Sequence, residues 1–138
     1  MRKNLKIQEI SDILSFSINS GSCLGNCPSF DINFNNDETS IWHGYAYTNK
    51  MGKWKGKISS SSFNAISSLL VEMSYWCIEN KFTTNFLEGQ IITTSIVWKN
   101  NLGNIYEHQI ENQVNSGPIQ LNLLQNQVKD KQFGEIKF

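Results

Sequence analysis

The chain has few cysteines and prolines, no excess charge of either sign, and no long apolar run. Its three cysteines, Cys23, Cys27 and Cys77, are too few and odd in number, which excludes a small fold stapled by a disulfide framework. Twelve basic residues balance twelve acidic ones, so no global field draws in nucleic acid or an anionic membrane. No apolar stretch approaches the roughly 20 residues that span a bilayer. Near the N-terminus Gln8, Glu9 and Asp12 interrupt the hydrophobic residues, which leaves no secretory core. The expected location is the cytoplasm, where thiols stay reduced. No glycine-rich strand-to-helix turn carries a lysine that could cradle phosphate. No two carboxylates share a spacing that forces acid–base or metal chemistry, and neither a cofactor nor a metal is expected.

What the chain does have is aromatic side chains: four Trp, four Tyr and eight Phe in 138 residues. That supply builds a core for one domain, residues 1–138, and leaves anchors for an interface. Apolar–polar alternation marks strands at 13–19, 29–35, 39–47 and 53–58. Ser59 to Ser62 offer N-caps for a helix at 61–73, carried by Phe63, Ile66, Leu69, Leu70 and Met73. Residues 80–90 read as irregular. Strands are expected at 91–99 and 105–111 around a turn at Asn100-Asn101-Leu102-Gly103. Ile119, Leu121, Leu124 and Val128 describe a second amphipathic helix to about residue 131. The order ββββ-α-ββ-α predicts an α+β fold with a mainly antiparallel sheet and two helices packed on one face.

The loop Gly21-Ser22-Cys23-Leu24-Gly25-Asn26-Cys27-Pro28-Ser29-Phe30 lies between the first two strands. Gly21 and Gly25 permit backbone angles denied to other residues, and Pro28 fixes the entry into the second strand. On the residues alone, Cys23 and Cys27 can be reduced packing side chains, a disulfide, or a metal or redox pair. C-x3-C without a second Cys/His pair is incomplete for zinc, and it is not the redox spacing. The loop resembles the G-P-C-F-G-x-C-P-x-[YF] pattern of domain-of-unknown-function family 6438, with departures at Ser22 and Leu24. Trp42-His43-Gly44, Gly52, Gly56, Phe63 and Ile66, and Gly117-Pro118 with Leu121 and Leu124, extend the resemblance over about residues 13–130. The Asp-x-Pro-Thr stretch usual in the family is absent from Phe86 to Thr94. The resemblance implies a fold and little else. Many members look exported, and in an exported relative the loop cysteines would form a disulfide.

His43 and His108 fall in expected strands beside Trp42 and Tyr106 and read as surface or packing side chains. Cys23 or Cys27 with His43 and Asp31 can be written as a triad, but no spacing selects it. Lys53, Lys55 and Lys57 share one face of their strand and Trp54 the other. They are either an edge guarded against aggregation or a docking patch for an acidic partner or RNA, and no nucleic-acid motif accompanies them. The expected function is that of a small cytosolic binding protein, an immunity-type antitoxin that occludes the active site of a toxin domain without catalysis. Its contact residues are sought among Asp37, Glu38, Trp42, Tyr45, Tyr47, Lys53, Trp54 and Lys55, with Trp98 as a further aromatic anchor. The alternatives are a cysteine-dependent enzyme or metal protein using Cys23 and Cys27, and a general protein-interaction module.

Overall fold

Period-two alternation turns into strands of a single sheet in the computed structural model, which describes residues 13–21, 25–48, 50–75, 78, 81–82, 90–113, 121–122 and 124–125. The elements are β1 (Ile13–Ser20), β2 (Ser29–Asn35), β3 (Thr39–Ala46), β4 (Gly52–Lys57), α1 (Ser60–Glu72), β5 (Lys81–Phe82), β6 (Ile91–Lys99) and β7 (Ile105–Gln113). The sheet order is β4-β3-β2-β1-β6-β7-β5. Neighbours run antiparallel except β5, which lies parallel to β7. β1 is thus a central strand, joined on one side to β2 and on the other to β6, which follows it only after α1.

One face of the sheet is apolar. Phe16 and Ile18 of β1, Phe30, Ile32 and Phe34 of β2, Ile96 and Trp98 of β6 and Ile110 of β7 meet Phe63, Ile66 and Leu70 of α1 in a single buried cluster. Each such side chain contributes roughly 1.5–3 kcal/mol when fully buried. α1 starts where the serines allow: the Ser59 hydroxyl accepts from the Ser62 amide at 3.1 Å, which satisfies one of the free amides of the first turn. The opposite face carries Ser15, Ser17 and Asn19 of β1 against Asn35, Asn33 and Asp31 of β2, so it is polar and open. At the β6–β7 turn Asn100 accepts from the amides of Leu102 and Asn104 through its side chain, at 3.0 and 2.9 Å, and Gly103 takes the positive φ of +83° that favours glycine.

Three expectations need correction. Trp98 is only 2% exposed and belongs to the core, not to an interface. In β6 the inward set is Ile92, Thr94, Ile96 and Trp98, and alternation does not say which of a strand's two faces is covered. The segment read as irregular contains β5, whose two residues are too few to show a period. The structure describes one bounded helix, not two. Most of the second predicted helix lies outside the described residues, although residues 121–122 and 124–125 are helical and Leu121 and Leu124 are fully buried. No helix among the described residues is long and apolar enough to cross a membrane.

Tyr75, just beyond α1, is fully buried. Its hydroxyl donates to the Thr94 carbonyl at 2.6 Å, and its ring meets that of His108 edge-on. Burial pushes the phenol far above its ordinary range, so it stays neutral in the folded protein. The unfolded chain ionises near pH 10. The stabilisation is therefore complete below about pH 10 and is lost as pH rises above it, because only the unfolded state gains the phenolate. Urea titrations should show a falling midpoint above about pH 10 and a shallower fall in Tyr75→Phe. That variant should also lose about 1 kcal/mol at neutral pH.

Candidate functional site

The β3–β4 hairpin forms one edge of the sheet, and its turn is folded back over β3. The Lys50 carbonyl accepts from the Trp42 indole at 2.9 Å and from the Thr48 hydroxyl at 2.8 Å. This brings the turn over Gly44, where a β-carbon would lie 2.0 Å from the Lys50 oxygen. Trp42 is partly buried and stacks on Phe30 with ring centroids 4.7 Å apart. Trp54, opposite it in register, stays 42% exposed. Its indole donates to the Met51 carbonyl at 2.8 Å, and the Lys50 ammonium sits 4.4 Å above its ring. An exposed aromatic is thus held in one orientation by a hydrogen bond and a cation–π contact.

On the open face the hairpin adds a second cluster. His43 lies between Asp31 and Lys53 in register and stacks on Tyr45 at 4.3 Å. The Tyr45 hydroxyl and the Asn19 amide both donate to the Asp31 carboxylate. That carboxylate, by accepting the phenol proton, holds Tyr45 above its usual range. Asn19, Asp31, Ile41, His43 and Lys53 line a depression of about 270 Å³.

The residues sought as one contact surface are separated by the fold. Tyr45, Lys53 and Lys55 lie on the open side of the hairpin, with Trp54 and the half-buried Trp42 on the other side. Tyr47, at φ +55°, stands in the turn between them. Asp37 and Glu38 sit at the β2–β3 turn, where they line one depression with Lys55, at the opposite end of the strands from Tyr45 and Tyr47. Both have structural work there. Asp37 accepts from the amide and hydroxyl of Thr39 at 3.1 and 2.6 Å, which keeps its carboxyl below the usual range. Glu38 accepts from the Ser60 amide at the start of α1 at 3.1 Å, a favourable place for an anion. Met51, whose carbonyl orients Trp54, was not found from the sequence, because turn residues have no period to reveal them.

The cysteine loop emerges at the same end of the sheet as the β3–β4 turn. Cys27 is disulfide-bonded, and its partner lies outside the described residues, as does Cys23. The expectation of reduced thiols is overturned for Cys27, since such bonds persist in oxidising surroundings and are rare in the cytosol. The ends of the loop are clamped by Gln90, whose amide nitrogen donates to the carbonyls of Gly21 and Pro28 at 2.7 and 2.6 Å. The Gly21 amide donates to Ile91 at 2.9 Å. Gln90 is buried and had no sequence signal, because the two partners it joins lie more than sixty residues before it. Among the described residues no three His, Cys, Asp or Glu side chains are gathered to hold a metal ion.

The family model for a domain of unknown function, DUF6438, matches residues 14–131. The chain belongs to the DUF6438 family. The match covers every element from β1 to β7 and the helical residues beyond. No curated protein and no solved structure matches the chain. In this DUF6438 domain the Trp42-His43-Gly44 triplet has a physical explanation: the indole holds the turn, the imidazole faces the open side, and only a hydrogen at Gly44 leaves room for the Lys50 carbonyl.

Proposed function

We propose that this DUF6438 domain is a binding protein of the immunity type, which blocks a partner, a toxin domain, by covering it with the β3–β4 edge. One observation carries this reading. Among the described residues, four of the six exposed large apolar side chains, Tyr45, Tyr47, Met51 and Trp54, belong to one hairpin, and Leu102 and Ile105 stand elsewhere. Rigid aromatic side chains are among the groups that dominate protein interfaces. A role without catalysis is supported by the state of the groups a cysteine enzyme would use. Cys27 has no thiolate to offer while it is bonded, and His43, the imidazole written with it in a triad, is stacked on Tyr45. The disulfide favours an oxidising compartment over the cytosol, and we place the chain there.

The test is site-specific photo-crosslinking in the native host, with the reactive residue at position 54 or, for comparison, at position 102. A discrete stoichiometric adduct at position 54 and none at 102 is the expected result. Trp54→Ala should then weaken the purified complex at least tenfold, which is about 1.4 kcal/mol. Equal labelling at both positions, or recovery of no stoichiometric partner, would sink the reading.

A further inference from the structure

We infer that β4 recruits its partner by strand addition, taking up an extended segment with acidic residues at alternate positions; this rests on the binding reading above and specifies its chemistry. Among the described residues β4 ends the sheet and has β3 as its one partner. With respect to those residues its outer edge presents unpaired backbone groups, the template on which an extended peptide adds as a further strand. Lys53, Lys55 and Lys57 are all exposed; Asp31 shares a depression with Lys53, and Asp37 and Glu38 share one with Lys55 and Lys57. The three lysines stand on one face at a period of two, so an added strand places its own alternate residues directly beside them.

The charge decides which strand can add. A second copy of β4 would bring lysine against lysine, which is destabilising, so the row that protects the edge from self-association also selects for acid. The intervening positions of the incoming strand would face Trp54 and Gly56. The fixed Trp54 ring offers an apolar surface to the first. The ligand is thus an acid-x-acid-x-acid segment in extended form.

The probe is a fluorescein-labelled peptide with Glu-Val-Glu-Val-Glu at its centre, measured by anisotropy against the full chain. It should bind with an affinity that falls at high salt, and it should bind at least tenfold more tightly than a peptide of the same composition with its glutamates contiguous. The triple substitution Lys53→Glu/Lys55→Glu/Lys57→Glu changes exposed side chains only. It should abolish that binding and create affinity for the matching lysine peptide. A peptide N-methylated along one edge must lose binding. No binding by the alternating peptide, or undiminished binding by the N-methylated one, would overturn strand addition. Either failure leaves the crosslink at position 54 as a separate result, so the wider binding reading can stand when this one falls.

Discussion

Gly44→Ala is expected to destabilise the protein by about 3 kcal/mol and to dismantle the β3–β4 turn. The added β-carbon would lie 2.0 Å from the Lys50 oxygen and 2.5 Å from the Thr48 hydroxyl, separations that no rotamer change at residue 44 relieves. The turn must move, and its backbone carbonyl then loses the Trp42 and Thr48 donors. Two hydrogen bonds at about 1 kcal/mol each, with at least about 1 kcal/mol for overpacking, give the total. Moving Lys50 also removes the cation above Trp54, so the indole N–H resonances of both Trp42 and Trp54 should shift in a nitrogen–proton correlation spectrum. Gly52→Ala is the control. Gly52 has a φ of +81° with nothing near its missing β-carbon; it should cost about 1 kcal/mol from backbone conformation alone and leave the Trp42 signal in place. A Gly44→Ala protein as stable as the parent would show that the turn does not rest on β3 in this way.

Gln125→Ala should cost about 2–4 kcal/mol, read as a lowered urea midpoint. Gln125 is 5% exposed. Its amide nitrogen donates to the Thr94 hydroxyl at 2.8 Å and to Asn112 at 2.9 Å, and its oxygen accepts from the Asn112 amide at 3.3 Å. Asn112 and Thr94 are fully buried. Truncation takes this donor from the Thr94 hydroxyl and the Asn112 oxygen in a buried site, where each lost bond costs about 1–3 kcal/mol, and it also opens a cavity. The network links β6, β7 and the helical residues around 125, so the loss is cooperative. Replacing all three residues together (Thr94→Val, Asn112→Leu, Gln125→Leu) should recover most of the stability, because no polar group is then left unpaired. A Gln125→Ala cost below about 1 kcal/mol would show that water reaches the site.

What could be read from the chain alone was local. Alternation placed β1, β2, β3, β6 and β7 to within a few residues. The serine run and its apolar period located α1, and Asn100 to Gly103 located a hairpin, because each of these signals depends on residues within one or two turns of each other. The candidate site was legible only in part. Lys53, Lys55 and Lys57 do share a face and Trp54 the other, as a period of two requires. Asp37 and Glu38 do line one depression with Lys55 and Lys57, but an antiparallel strand carries that end away from Tyr45 and Tyr47.

Pairing decided the rest. β1 joins β6 across more than seventy residues, and that contact buries Trp98 while leaving Trp54 at an edge, though each is a tryptophan within a strand. Gln90 and Gln125 carry no pattern of their own, and their value lies in partners that only the folded chain brings to 3 Å. Side-chain period is a property of the backbone and can be read locally; which face is covered, which edge is left open and which amide finds its carbonyl depend on neighbours distant in the chain, and those the tertiary structure alone supplies.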